Sequence, residues 1–232
     1  MKIEKMSSQK SINIMSAQVA DKVEDGNIIG LGSGSAVAEF VRKLGERVTN
    51  NNITCTIIPS SLQIQLIAEQ SGLISIPYTM IPDIDITVDG ADQINEKFNM
   101  IKGGGGALYC ERILLRAAKK SIILADETKY VKQLNKAIPV ETSKFARVYV
   151  TRELQKLGGK VTMRMLDKGY PFNTENGNII LDTMFDIIEK PNVLQRKINK
   201  IAGIIDAGIF IDEGNIFYKA NIDGTVHNFE VR

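Results

Sequence analysis

The chain has 232 residues, of which 44% are hydrophobic and 24% charged, as is ordinary for a globular protein. Its 29 basic and 27 acidic side chains leave a net charge of +2, which argues against a nucleic-acid partner. No apolar run reaches the roughly 18 residues of a membrane span, and residues 1–10 lack the apolar core of a signal peptide. Cys55 and Cys110 follow no metal or redox spacing. We therefore expect a cytoplasmic protein with no membrane partner and reduced thiols.

The single histidine, His227, narrows the chemistry that this chain can perform. A Ser-His-Asp or Cys-His catalytic site is disfavoured, and so is a zinc site with histidine ligands. We expect His227 itself to be a surface residue of a strand. Any catalysis must therefore use carboxylates, lysines, hydroxyls and backbone amides.

Strand and helix patterns alternate through the first part of the chain. Strands are predicted over residues 27–31, 53–59, 73–76, 84–88 and 121–125, and helices over 10–23, 36–48, 61–70 and 107–120. This alternation predicts an α/β fold built on a mostly parallel, Rossmann-like sheet with helices on both faces.

The pattern changes after about residue 134. A strand is predicted over 146–150, a helix over 151–157, strands over 161–166 and 179–182, and a helix over 191–201. The tail then alternates apolar residues around two turns, as strands do. We predict an α/β catalytic domain of residues 1–134 and 209–232, and a smaller α+β domain of residues 135–208.

A glycine–serine segment, Gly30-Leu31-Gly32-Ser33-Gly34-Ser35, joins a predicted strand to a predicted helix. Backbone amides at such a helix start form an anion site, and the two serines add hydroxyl donors. The spacing fits neither the dinucleotide fingerprint nor the P-loop. The alternative is a plain tight turn, but the strand–turn–helix context favours phosphate binding.

A second cluster combines Asp89, Asp92, Lys102, four glycines and Glu111 within 23 residues. Four consecutive glycines cost backbone entropy and have no packing value, so they indicate unusual dihedrals or close approach to a ligand. The two aspartates lie near a strand end, where open α/β sheets bind ligands. They are either solvated turn acids, metal ligands, or, as we prefer, groups that bind sugar hydroxyls and exchange protons with them.

Glu111 lies in the apolar arc of the helix predicted after the glycines. It is either a solvated glutamate favoured by the helix dipole or an inward carboxylate poised as a general base. The neighbouring glycines, lysine and aspartates favour the base. Lys102 would then stabilise a developing oxyanion. Lys129, after the strand 121–125, is a weaker candidate for binding substrate.

Taken together, these motifs resemble the A-type ribose-5-phosphate isomerases. The glycine–serine turn, Asp-Gly-Ala-Asp, Lys-Gly-Gly-Gly-Gly-Ala-Leu and Ala-Asp-x-x-Lys come in that family's order, and Leu157-Gly158-Gly159 and Asn176-Gly177-Asn178 extend the likeness. The resemblance implies a cofactor-free, metal-free isomerase of ribose 5-phosphate and ribulose 5-phosphate, in the pentose phosphate pathway, that forms a homodimer or homotetramer.

The resemblance also implies roles for individual residues. Glu111 corresponds to the base that moves a proton between C1 and C2, and Lys102 to the group that stabilises the enediolate. Asp89 and Asp92 correspond to acids that assist ring opening and hold hydroxyls. The implied substrate-binding residues are Ser33, Gly34, Ser35, Ala36, Gly90, Ala91, Gly103, Gly104, Gly105 and Lys129.

Three positions depart from the family pattern or lack a match. Ala36 stands where the family more often has threonine, Gln93 replaces the usual glutamate, and Lys10 is only a candidate for an N-terminal phosphate contact. Three alternatives remain: a sugar-phosphate deaminase, a CoA transferase and a non-catalytic sugar-phosphate sensor. The lone histidine disfavours the deaminase, the chain length disfavours the CoA transferase, and the short N-terminus disfavours the sensor.

Overall fold

The structure is a computed structural model that describes residues 2–77 and 83–231. It divides into two compact units. Unit 1 comprises Met1–Ala91, Cys110–Tyr130 and Glu213–Arg232, and unit 2 comprises Asp92–Tyr109 and Val131–Asp212. None of the helices in the described ranges is long and apolar enough to cross a membrane.

The helices and strands are numbered in chain order. The helices are α1 (Lys2–Ala20), α2 (Ser35–Asn51), α3 (Leu62–Gln70), α4 (Leu108–Ala117), α5 (Arg147–Lys156) and α6 (Pro191–Ile198). The strands are β1 (Asn27–Leu31), β2 (Cys55–Pro59), β3 (Ile74–Ser75), β4 (Ile84–Gly90), β5 (Gln93–Ile94), β6 (Met100–Ile101), β7 (Ala118–Asp126), β8 (Ile138–Thr142), β9 (Lys160–Met163), β10 (Ile179–Met184), β11 (Ile204–Ala207), β12 (Ile209–Phe210), β13 (Ile216–Ala220) and β14 (Val226–Glu230).

Unit 1 is built on a seven-stranded sheet in the order β14-β13-β7-β4-β1-β2-β3. All neighbouring strands are parallel except β13 and β14, so the predicted mostly parallel sheet is confirmed. The chain passes from β1 to β2 on one side, while β4 lies on the other. The carboxyl ends of β1 and β4 therefore flank a topological switch point, where open α/β sheets bind ligands.

Helices cover both faces of this sheet, as the sequence predicts. On one face, α1, α2 and α3 bury apolar side chains against the central strands, with Phe40 and Leu44 of α2 fully buried. On the other face, Leu114 of α4 packs against Ile58 and Ile84. The strands alternate their side chains between these two layers, which explains why they are nearly continuous hydrophobic runs.

One predicted helix ends earlier than its periodicity suggests. The pattern predicts helix to residue 120, but α4 ends at Ala117, and Ala118 already begins β7. The cause is tertiary, because Ala118 pairs with Ile84 of β4 and the Lys119 ammonium contacts the Asp85 carboxylate at 2.8 Å. Strand pairing thus overrides the local helical preference.

Unit 2 contains a four-stranded antiparallel sheet in the order β11-β8-β10-β9, with α5 and α6. The predicted strand at 146–150 is wrong, since residues 147–150 lie in helix α5 and Ala146 is its N-cap. The strands β8 and β11 were not predicted. A short strand pattern without alternation is hard to distinguish from a buried loop or helix.

A second, three-stranded sheet places residues 92–109 in unit 2, where the sequence-based division had put them in the α/β domain. Its order is β12-β6-β5, all antiparallel. The backbone N–H of Lys102 also donates to the carbonyl of Gly208 at 3.0 Å. The β6–β12 pairing and the Lys102–Gly208 bond join segments about a hundred residues apart, so no local pattern could have indicated them.

Candidate active site

In unit 1, the segment after β1 forms a tight turn at the switch point of the sheet. The N–H of Gly32 donates to the carbonyl of Val88 on β4 at 2.9 Å, which fixes the turn to the neighbouring strand. Gly34 caps α2 with φ 98°, a left-handed value that favours glycine, and makes no side-chain capping hydrogen bond. The backbone amides at the start of α2 thus have the arrangement found at helix N-termini that bind anions.

Asp89, on β4, is completely buried beside this turn. One carboxylate oxygen, Oδ1, accepts a hydrogen bond from the N–H of Gly90 at 2.7 Å. The carboxylate lies directly against Gly32, where an added Cβ would come within 2.6 Å of Oδ2 and nearer still to the other carboxylate atoms. Glycine at position 32 is therefore needed for the aspartate to occupy this place.

Glu111 lies in the first turn of α4 with 2% of its surface exposed, as its place in the apolar arc predicts. Its Oε1 accepts a hydrogen bond from the Ser33 hydroxyl. The structure thus joins two predicted site residues that are 78 positions apart in the chain. A buried carboxylate at a helix start, beside an anion-binding turn, is equipped to accept a proton from a bound anion.

Helix α4, which carries Glu111, is anchored at several points. Thr87 of β4 donates its hydroxyl proton to the carbonyl of Leu114 at 2.8 Å. Gly30 has no Cβ to obstruct this approach, since one would collide with the Thr87 hydroxyl. The Glu213 carboxylate pairs with Arg112 and, at 3.0 Å, with Arg116. Sequence reasoning missed Glu213, whose partners lie about a hundred residues away.

In unit 2, residues 103–106 form a compact turn, called the glycine turn below. Gly103 has φ 94° and Gly106 has φ 85°, and the N–H of Gly106 donates to the carbonyl of Gly103 at 3.0 Å. The N–H of Gly104 donates to Asp92 Oδ2 at 2.8 Å. A Cβ on Gly104 would come within 2.6 Å of the same carboxylate. These dihedrals and close contacts explain Gly103, Gly104 and Gly106.

Arg164 holds the glycine turn from the other side and was missed by sequence reasoning. Its Nη1 donates to the carbonyls of Gly103 and Gly104 at 3.0 and 2.9 Å. Its Nε donates to Asp182 Oδ2 at 2.9 Å, and its Nη2 to Oδ1 of the same residue at 2.5 Å. One planar guanidinium therefore makes four hydrogen bonds to two carbonyls and one carboxylate, whereas a lysine ammonium has only three N–H donors.

Lys102, just before the glycine turn, is 2% exposed. Its ammonium lies 5.4 Å from the centroid of the Phe210 ring, within the range of a cation–π contact. A buried ammonium on a fixed backbone is a suitable stabiliser for a developing negative charge.

The remaining predicted residues have varied surroundings. Lys129 is half-buried in the 3₁₀ turn that follows β7, and Ser35 is exposed at the start of α2. Gln93 accepts from the N–H groups of Asn135 and Lys136 at 3.0 Å, and donates to the Asn135 side chain at 2.7 Å. The last bond requires an amide donor that glutamate lacks, so this departure from the family pattern has a structural explanation.

Within the described ranges, no group of three or more histidine, cysteine, aspartate or glutamate side chains is arranged to hold a metal ion. The candidate chemistry of unit 1 is a carboxylate base, Glu111, beside the start of α2, which is suited to anion binding. That of unit 2 is a buried ammonium beside a rigid backbone turn.

The chain is similar to a family of known proteins. The family model of ribose 5-phosphate isomerase A (phosphoriboisomerase A) matches residues 56–224. The chain belongs to this family. Ribose-5-phosphate isomerase A 1 of Oceanobacillus iheyensis is 40% identical over 196 residues, which cover 84% of this chain and 87% of that protein. The human ribose-5-phosphate isomerase is 38% identical, over 91% of this chain and 70% of the human protein.

Solved structures give the same assignment of the fold. A D-ribose-5-phosphate isomerase in complex with phospho-erythronic acid is similar with a TM-score of 0.91 and 32% identity. The ribose 5-phosphate isomerase A of Methanocaldococcus jannaschii is similar with a TM-score of 0.90 and 32% identity. Each alignment covers 96% of this chain and 99% of the other.

Proposed function

We propose that this protein interconverts D-ribose 5-phosphate and D-ribulose 5-phosphate through an enediolate, without a cofactor, as a step of the pentose phosphate pathway. The observation that carries the proposal is the hydrogen bond from Ser33 to Glu111. It joins a buried carboxylate base to the turn that begins α2, a helix whose N-terminus has no side-chain capping hydrogen bond. An aldose–ketose isomerase of a phosphosugar needs both groups, one for the proton and one for the distal phosphate.

Glu111 is the proposed base. It removes the proton from C2 of the open-chain aldose and returns it to C1, and the O2 hydroxyl proton passes to O1, which together yield the ketose. Lys102 stabilises the negative oxygen of the enediolate formed between these two transfers. Asp89 and Asp92 hold hydroxyl groups and assist ring opening. The burial of Glu111, Lys102 and Asp89 supports these roles, because charged groups are buried only where they are paired or used.

The phosphate is proposed to bind at the start of α2. The turn from Ser33 to Ala36 offers backbone amides and hydroxyls there, and α2 is a 17-residue helix whose dipole favours an anion. Ala36 contributes its amide only. Backbone groups of Gly90, Ala91 and residues 103–105, with the Lys129 ammonium, are proposed to contact the rest of the sugar phosphate.

A solved relative contains phospho-erythronic acid. Such a molecule combines a phosphate with a planar anionic group at the other end of a short polyol. The enediolate of ribose 5-phosphate has the same combination of charges, so this ligand supports the proposed substrate class for this chain.

The proposal is tested with Glu111→Gln. The amide keeps the shape of the side chain but cannot take up a proton, so we expect kcat to fall by about 10³-fold or more. Ribulose 5-phosphate formation is followed spectrophotometrically in buffer with a chelator and no added cofactor, and substrate binding is measured separately by calorimetry. More than a tenth of the parental activity in the variant would exclude Glu111 as the base. A parental protein that binds the sugar phosphate without turnover would be a sensor instead.

We further propose that the chain forms a homodimer or homotetramer in the cytoplasm. Support comes from apolar side chains exposed together at α5, where Phe145 is fully exposed and Val148 and Tyr149 are 63% and 43% exposed. Exposed apolar residues at such spacing mark interaction surfaces. Light scattering during size-exclusion chromatography measures the mass of the assembly. We expect Val148→Asp to lower this mass, because the charge disrupts the apolar contact between copies.

A further inference from the structure

The two serines of the turn between β1 and α2 have different surroundings. Ser33 is half-buried and donates its hydroxyl proton to Glu111 Oε1. Ser35 is exposed and begins α2. Gly34 lies between them with φ 98°, a backbone conformation that residues with a side chain rarely adopt. The sequence alone treats both serines as equivalent phosphate ligands.

We propose that Ser33 is a positioning residue for the base, and that the hydroxyl contact to phosphate falls to Ser35. This inference rests on the proposed role of Glu111. A serine hydroxyl has a single proton, so it cannot donate to a carboxylate and to a phosphate at the same time. The structure directs that proton to Glu111.

The physical benefit is alignment of the carboxylate. A glutamate has three rotatable bonds, and its terminal torsion is broad, so a free carboxylate samples many orientations. A hydrogen bond from a fixed donor selects one of them. The donor is well fixed, because the preceding Gly32 is bonded to Val88 and packed against the Asp89 carboxylate. Proton transfer from carbon is sensitive to misplacement of the base by as little as about 1 Å.

The test compares Ser33→Ala with Ser35→Ala, two identical chemical changes on one turn. For Ser33→Ala we expect kcat to fall about 10-fold to 100-fold, as for loss of a hydrogen bond to a charged group, with KM changed less than about threefold. For Ser35→Ala we expect the opposite split, with KM raised and kcat nearly retained. Ser33→Thr keeps the hydroxyl and should restore most of kcat.

An isotope effect identifies the slowed step. With ribose 5-phosphate deuterated at C2, kcat of Ser33→Ala should show a full primary isotope effect, because proton transfer has become slower. The melting temperatures of the three variants should remain close to that of the parent, which separates positioning from folding.

Several outcomes would overturn the inference. Raised KM with unchanged kcat in Ser33→Ala would make Ser33 a phosphate ligand. A loss of kcat without an isotope effect, or an equal loss in Ser33→Thr, would make the turn merely structural. Failure of the proposed function is seen separately, as absence of turnover by the parent, and failure of the base assignment as retained activity in Glu111→Gln. An inactive Glu111→Gln together with an unaffected Ser33→Ala would refute this inference alone.

Discussion

Gly32 offers a sharp test of how the turn and the Asp89 carboxylate fit together. The backbone of Gly32 does not have positive φ, so alanine is compatible with its conformation and only the added methyl group matters. That methyl would lie 2.6 Å from Asp89 Oδ2 and nearer to Oδ1 and Cγ. To reach ordinary contact at 3.4 Å, Oδ2 must retreat by about 0.8 Å, and Oδ1 and Cγ must retreat farther.

We expect Gly32→Ala to lower kcat/KM about 100-fold, because displacement of an active group by about 1 Å has that effect. Overpacking at a fully buried site should also lower the free energy of unfolding by about 1–3 kcal/mol. Activity is measured by the ribulose 5-phosphate assay and stability by urea unfolding. Gly90→Ala is the folding control, since its Cβ would meet the nearest atoms at 3.6 and 3.8 Å, and its stability should be nearly parental.

A double-mutant cycle assigns the effect to this contact. In an Asp89→Ala background the carboxylate is gone, so Gly32→Ala should add less than about 0.5 kcal/mol of destabilisation. An equal loss of stability in both backgrounds would refute the reasoning, because the methyl group would then collide with something other than Asp89.

The remaining predictions concern one residue in each unit. Arg164→Lys should lower kcat/KM by about tenfold, because an ammonium has three donors and no planar fork to replace the four hydrogen bonds of Arg164. A loss in stability alone would make Arg164 purely structural. Hydrogen bonds from the Ile28 amide and from Lys119 hold the pKa of Asp85 below its ordinary value. The stabilisation from this carboxylate is therefore present above the pKa of an unfolded aspartate, and it is lost as pH falls through the lowered pKa. Asp85→Asn should therefore be less stable than the parent at pH 7 and nearly equal at low pH, and a constant difference in urea unfolding across this range would contradict the linkage.

Local patterns were sufficient to predict the α/β sheet and several members of the site. The strand β1 has the predicted bounds, and α2 and α3 begin within one residue of prediction. The inward position of Glu111 also followed from helical periodicity, which depends only on spacing along the chain. The family resemblance rested likewise on contiguous motifs. The assigned roles of the site residues remain predictions.

Only the tertiary structure decided which residues act on one another. The end of α4 at Ala117 depends on the pairing of β7 with β4, and the place of residues 92–109 depends on β6 pairing with β12. Two sets of hydrogen bonds join residues about 60 to 80 positions apart: the one from Ser33 to Glu111, and those from Arg164 to the glycine turn. Composition and periodicity report the local preferences of the chain, whereas such contacts exist only after distant segments have packed against each other.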